Sequence, residues 1–335
     1  MIDNILFTPL ANLPTPLEEL PRLGKRLGLS TLLMKRDDLT GLAGGGNKAR
    51  KLEYIFAEIV RGGYDVVLTA GGIQSNHARM TAAAARKLGL DIKLVLGGPD
   101  FTELQGNILL GSLFGAEIRY LVDDDANDRL TQEMERWGAE LKSQGRRPYL
   151  LPIGGSTGTG ALGYVKAMQE LSVQYPGGPV QIITGIGSCG TFAGTILGCS
   201  LYLPQARIIG ISVSRTVEAI TKRTKELLQE SAALLNIQNP TDQIPIECYD
   251  RYHSEYGVMT KNGEQAIRLC AELEGVLLDP VYTGKVMSAL IDLTEKNIID
   301  RNIPVIFIHT GGLPIIFSFE KELGKDSRCT KIYKL

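Results

Sequence analysis

Cysteine and histidine are scarce in this chain, and neither is grouped. The five cysteines, Cys189, Cys199, Cys248, Cys270 and Cys329, form no CxxC pair and are odd in number. The three histidines, His77, His253 and His309, stand far apart. This argues against a bound metal or a disulfide scaffold, and for a reduced, cytoplasmic protein. Charge of one sign is also missing. Thirty-six basic and 37 acidic side chains leave a formal net charge of −1, so nucleic acid and anionic membrane have no electrostatic attraction to offer as partners. The opening Met1-Ile2-Asp3-Asn4 has neither the basic nor the apolar character of a signal peptide. Leu171 to Ala206 is free of charge, but Pro176, Gly177, Gly178 and Pro179, then Gly185, Gly187 and Gly190, interrupt it. It reads as a buried strand, loop and helix and not as a bilayer span. Repeats at solenoid periods and low-complexity segments are absent as well.

What the chain has is length and glycine. Its 335 residues allow one large or two ordinary domains, and 44% hydrophobic with 22% charged residues is ordinary globular composition. Glycine, 38 residues, exceeds the roughly 7% average and gathers in short runs, which points to particular loops.

Between those loops the pattern alternates. Leu52, Ile55, Phe56 and Ile59 recur at helical spacing before Gly62-Gly63, and Asp65 to Thr69 reads as a buried strand. A helix after Ser75, a strand at Ile92 to Leu96, a helix from Thr102 to Phe114 and a strand at Glu117 to Leu121 follow. A helix from Ala126 to Ser143 and a strand at Tyr149 to Ile153 complete this series, with Asp123-Asp124-Asp125 as a solvated helix start. A second series opens at Val180 to Thr184 and runs through the strands at Arg207 to Val213 and Val305 to His309. Its helices begin at Thr191, Thr216, Lys261 and Thr283. Alternation of this kind predicts an α/β protein with two parallel-sheet domains and a cleft between them. Periodicity alone leaves the N-terminal segment, with its strand Leu32 to Lys35, to either domain. Ligands of such folds sit at the carboxyl ends of strands, so the loops there are the candidates for chemistry.

Three loops stand out. Gly41 to Lys48 nearly imitates a phosphate P-loop, but Asn47 and Lys48 stand where lysine and a hydroxyl residue belong. What remains is a lysine at a helix start behind three glycines. The positive helix end and burial both favour its neutral amine, a nucleophile able to form a Schiff base, whereas most lysines are simply solvated. The second loop, Thr69 to His77, offers Ser75 or Asn76 as a helix cap and three polar side chains suited to a carboxylate. The third, Gly185-Ile186-Gly187-Ser188-Cys189-Gly190-Thr191, matches GxGxxG between a strand and a helix. The next strand ends in Val213-Ser214-Arg215, without the acid that holds a ribose, so NAD is disfavoured. Arg215 keeps NADP open, and a single phosphate would need only the loop.

Taken in order, these loops resemble the tryptophan-synthase-type, fold type II enzymes that use pyridoxal 5'-phosphate (PLP). Within them the chain is similar to the D-cysteine desulfhydrase and 1-aminocyclopropane-1-carboxylate (ACC) deaminase family. The likeness runs from Pro14-Thr15-Pro16-Leu17 through Lys35-Arg36-Asp37-Asp38, Gly45-Gly46-Asn47-Lys48 and Gln74-Ser75-Asn76-His77. It continues through Gly187 to Thr191 and Leu278 to Lys285 to Ile308 to Gly312, nearly the whole chain. The resemblance implies that Lys48, next to Asn47, carries PLP as a Schiff base, and that Asn76 bonds the ring oxygen. It implies that Gly187, Ser188, Cys189, Gly190 and Thr191 hold the phosphate, and that Thr310, with Thr283 nearby, meets the ring nitrogen. Ser75, Asn76 and His77 would lie on the substrate side, with Tyr256 and Tyr282 flanking the reacting atoms. A large domain of residues 1–50 and 160–335, a small domain of 51–159 and a homodimer are also implied.

ACC deaminases resemble this chain but place a glutamate after the tyrosine, where Thr283 stands here. A hydroxyl favours ring-nitrogen protonation far less than a carboxylate does, and thiolate leaves more easily than a cyclopropane opens. The expectation is therefore a carbon–sulfur lyase acting on a small amino acid: α,β-elimination of D-cysteine to pyruvate, ammonia and hydrogen sulfide. The rivals are L-cysteate sulfo-lyase, ACC deaminase, an NADP-dependent oxidoreductase and a non-catalytic PLP-binding protein. Whether Lys48 or a Ser75/Tyr282 pair takes the α proton stays open at this point.

Overall fold

Runs of β-branched and aliphatic residues separated by helices of about one sheet-crossing in length build two parallel sheets. The computed structural model describes residues 2–124, 126–238, 245–255 and 257–324. Its strands are β1 (Leu17–Glu19), β2 (Leu32–Lys35), β3 (Val66–Gly72), β4 (Asp91–Gly98), β5 (Glu117–Val122), β6 (Pro148–Leu151), β7 (Val180–Ile186), β8 (Ala206–Ser212), β9 (Glu247–Tyr249) and β10 (Val305–Ile308). The helices that matter below are α1 (Pro21–Leu27), α2 (Lys48–Arg61), α3 (Asn76–Lys87), α4 (Gly106–Leu113), α5 (Asn127–Ser143), α6 (Gly158–Gln174), α7 (Gly190–Tyr202), α8 (Val217–Leu234), α9 (Lys261–Glu274) and α10 (Thr283–Glu295).

One sheet has the order β1-β2-β10-β7-β8-β9 and the other β5-β4-β3-β6. Apart from antiparallel β1, every pair is parallel. The six-stranded sheet thus joins the N-terminal segment to strands from the second half of the chain, with Leu32 opposite Val305. The four-stranded sheet is drawn entirely from residues 66–151. The fold is the fold type II architecture of two α/β bodies.

The central strands of both sheets are buried on two faces, as apolar runs such as Val66 to Leu68 and Val305 to Ile308 require. Helix α2 joins the two bodies. Leu52, Ile55, Phe56 and Ile59 pack toward the small sheet with Val67 and Ala78, while Tyr54 enters a cluster with Phe192 and Leu197 of α7. Gly163 of α6 lets the α2 backbone approach, since a Cβ there would lie 2.3 Å from the Arg50 carbonyl oxygen.

Several boundaries differ from the expectation. The helix expected from Thr102 begins at Gly106, because the Gln74 side chain folds over its start. Gln74 Oε1 accepts the Asn107 N–H at 2.8 Å, and its Nε2 donates to the Gln105 carbonyl. Helix α6, charge-poor at its start and rich in glycine, and the short strands β1 and β9 were not anticipated. Asp123 and Asp124 precede α5 as expected, with Asp124 Oδ1 accepting the Ala126 N–H, whereas Asp125 lies outside the described residues. No helix among the described residues is long and apolar enough to cross a membrane.

Candidate active site

The carboxyl ends of β3, β7 and β10 converge on one cavity of about 860 Å³ between the two sheets, where open α/β folds bind ligands. Each of the three loops singled out in the sequence enters it.

Lys48 is the first residue of α2, held there by a backbone bond from the Asn47 N–H to the Thr310 carbonyl at 3.0 Å. Gly45 and Gly46 before it leave no space for side chains; a Cβ on Gly45 would fall 1.8 Å from the Asp38 carbonyl oxygen. The Lys48 ammonium donates to Asn47 Oδ1 at 3.1 Å and lies 5.9 Å from the centre of the Tyr282 ring. Burial and the neighbouring Arg79 cation pull its pKa down to about 8, against a smaller opposing pull from Asp279. Asn47 in turn donates through Nδ2 to Thr191 Oγ1 at 2.8 Å, which ties the lysine to the glycine loop.

Ser75 caps α3, its Oγ accepting the Ala78 N–H at 3.2 Å, and Asn76 opens that helix at the cavity wall. His77 borders the same space, but its ring is engaged inside the protein. Thr69 gives its own proton to the Leu151 carbonyl, so His77 Nε2 is the donor across the 2.8 Å contact with Thr69 Oγ1. Burial, with Lys51 and Lys48 nearby, drives the His77 pKa well below its usual value and leaves the ring neutral.

The glycine loop ends β7 and starts α7 with no side-chain cap, so the first N–H groups of the helix are left for a ligand. Gly187 stands beside Tyr282, where a Cβ would come within 3.1 Å of the ring. A Cβ on Gly190 would sit 2.6 Å from Lys51 Nζ. Cys189 adopts the left-handed conformation at φ 70° and is buried against α8, which raises its thiol pKa. Ser188, Cys189 and Thr191 line the cavity.

Lys51 was missed in the sequence, where it reads as one more charge on a helix. It is fully buried, donates to the Gly154 carbonyl at 2.6 Å and has no carboxylate bonded to it among the described residues. Burial and Lys48 hold its pKa well below the ordinary lysine value. A buried amine beneath an uncapped helix start and a glycine turn fits a phosphate group, whose charge would favour its protonated form. The residues present therefore suit PLP: an amine that could bind its carbonyl, a donor cradle for its phosphate and the Asn76 amide in the cavity wall. Of the other expected positions, Tyr282 and Thr310 line the cavity, and Tyr256 lies outside the described residues. Thr283 is set behind the wall. Its hydroxyl donates to Asp279 Oδ1 at 2.7 Å and accepts the Asp279 N–H at 2.7 Å, so it does not meet a ligand directly in this arrangement.

This combination of two α/β bodies, a helix-start lysine and a glycine cradle defines a PLP enzyme. The chain belongs to the pyridoxal-phosphate dependent enzymes, whose family model matches residues 9–311. It is 42% identical over 319 residues to a D-cysteine desulfhydrase from Klebsiella pneumoniae (strain 342), covering 92% of this chain and 95% of the relative. It is also 42% identical over 311 residues to a putative 1-aminocyclopropane-1-carboxylate deaminase from Pyrococcus horikoshii, covering 92% of both. Among solved structures, an ACC deaminase homologue superposes with a TM-score of 0.88 at 40% identity, covering 96% of both chains.

Proposed function

We propose that this chain is a D-cysteine desulfhydrase, converting D-cysteine by α,β-elimination to pyruvate, ammonia and hydrogen sulfide. Thr283 carries the reading. Position 283 adds no carboxylate to the cavity, and its hydroxyl is committed to Asp279. Expelling a thiolate demands less electron withdrawal than opening a cyclopropane, so a site without that carboxylate suits the sulfur substrate.

Bound PLP supplies the electron sink that allows the substrate Cα to lose its proton. Lys48 does the proton work. With a pKa near 8 its Nζ is neutral in a large fraction of molecules at mildly alkaline pH, the form in which it would take the Cα proton. Ser75 and the start of α3 receive the substrate carboxylate, with Asn76 and His77 alongside. The turn from Gly187 through Ser188, Cys189 and Gly190 to Thr191 holds the phosphate by backbone N–H groups, with Lys51 beneath it. Thr310 would meet the ring nitrogen. Tyr282 or Tyr256 would give a proton to the departing sulfur. The active unit in this reading is a homodimer in the reduced cytoplasm.

The ACC deaminase reading keeps the support of equally similar relatives, so the test offers D-cysteine, L-cysteine, ACC and L-cysteate in parallel and follows pyruvate, sulfide and sulfite. Pyruvate with sulfide from D-cysteine alone is the expected result. Turnover of ACC in preference to D-cysteine would remove the argument from Thr283, and sulfite from L-cysteate would transfer the proposal to a sulfo-lyase.

A further inference from the structure

Arg79 is almost completely buried, yet no carboxylate is bonded to it. One turn after Asn76 on α3, its Nη1 donates to Asn107 Oδ1 at 3.2 Å and its Nη2 to the Gly45 carbonyl at 3.0 Å. Its Nε has no partner among the described residues. A buried guanidinium with only the unbonded Asp279 carboxylate near it is costly, so its directional effect on its neighbours is the feature to explain.

Arginine can only donate, so the Asn107 atom facing it must be the carbonyl oxygen. Asn107 Nδ2 then points the other way, donating to the Gln74 carbonyl at 2.8 Å and to Asn76 Oδ1 at 2.9 Å. The Gln74 carbonyl can only accept, so both sides of the Asn107 amide enforce one orientation. Asn76 must therefore spend its oxygen on Asn107. Its Nδ2, which has no protein acceptor among the described residues, is the end left for the cavity it lines.

We propose that Asn107, locked by Arg79, is a positioning residue. It turns the Asn76 amide so that the cavity is offered an N–H donor and never a C=O, which selects an ionised oxygen on the ligand at that place. The inference rests on the chain binding PLP. It concerns a residue on α4 that need not touch the cofactor, and it explains why a cation is buried on α3 without a carboxylate.

The test is a double-mutant cycle on the full chain loaded with PLP, read by the pH titration of the bound cofactor's visible absorbance and by the PLP affinity of the apoprotein. The wild-type spectrum comes first: no cofactor band at all would strike at PLP binding, and not at Asn107. In Asn107→Asp the introduced carboxylate accepts from Arg79 but cannot donate to Asn76, so the Asn76 amide turns its oxygen to the cavity. Loss of a bond to a charged group predicts an absorbance midpoint about one pH unit higher and about tenfold weaker PLP binding. In an Asn76→Ala background the same substitution is expected to shift neither quantity further. Asn107→Leu, which adds no charge, is expected to move both quantities in the same direction and to lose its effect in that background. An unchanged midpoint in both single variants would overturn the proposal. A shift of equal size with Asn76 removed would do so too, because it would show Asn107 acting on the cofactor by field or by fold.

Discussion

Helix α2 places three cations within four residues, and two of them live under opposite rules from the third. Arg50 points into a cluster in which every charge is answered. Its guanidinium meets both Asp37 oxygens at 2.9–3.0 Å and both Glu170 oxygens at 2.9–3.0 Å. Lys35 shares Glu170, and Tyr164 and Thr15 donate to Asp37 at 2.6 and 2.8 Å. Burial alone would lower the Arg50 pKa, but Asp37 and Glu170 hold it above its usual value. Lys48 and Lys51 are also withdrawn from water, and neither has a carboxylate bonded to it among the described residues. Both are depressed. The contrast separates two uses of buried charge. A basic group matched by the protein's own carboxylates stays charged and fixes the joint between the two sheets, whereas those without a bonded carboxylate among the described residues are pushed toward the neutral form.

The comparison can be broken most directly at Lys48. Lys48→Ala should abolish both turnover and the visible band of bound PLP, measured by pyruvate release and absorbance; retained turnover would show that the unmatched amine is not the reacting one. At the matched end, Arg50→Met leaves Asp37 and Glu170 buried without their partner. It should cost on the order of 3–5 kcal/mol of stability in urea unfolding. Lys51→Met is the counterpart that sharpens the distinction. It should weaken PLP binding to the apoprotein by about tenfold or more, from the loss of a charged bond, without lowering the apoprotein's melting temperature. A large drop in melting temperature would place Lys51 with Arg50 instead.

The pH dependence follows from sign. A neutral amine is the form that captures the PLP carbonyl, and Lys48 becomes neutral as pH rises through about 8. Stopped-flow capture by the apoprotein should therefore speed up about tenfold per pH unit below that value and level off above it. A rise that continues to pH 10 would mean an ordinary lysine. The smallest effect is expected at Thr283→Val, which removes one donor from Asp279 and should lower stability by about 1 kcal/mol, read by thermal unfolding.

These contrasts also mark what could be seen in the sequence. The three loops were visible because glycine runs and cap residues act locally: Ser75 caps α3, and the Gly185 to Gly190 spacing does open a helix. The alternation of strands and helices gave the two sheets for the same reason. Lys51, Arg79 and Asn107 were not visible, because a charged or amide residue inside a helix normally faces water, and only the packed fold buries these three. Thr283 shows the other limit. Its position beside Tyr282 suggested contact with a ligand, but the N-terminal turn of α10 directs its hydroxyl back to Asp279, a local bond that spacing alone does not reveal. The start of α4 moved for a similar reason, since its cap comes from Gln74 on a distant loop.

The interleaving of β2 between β1 and β10 has a consequence for how the molecule is made. A chain leaving the ribosome presents the four strands of the smaller sheet in one uninterrupted stretch, so that sheet can assemble while synthesis is still under way. Strand β2 can pair with β1 at once, but its other edge must wait for β10, where Leu32 lies opposite Val305. Thr310 follows two residues after β10, so the cavity wall is completed only once that strand has been made. A product truncated before it would carry Lys48 without the residues that enclose it.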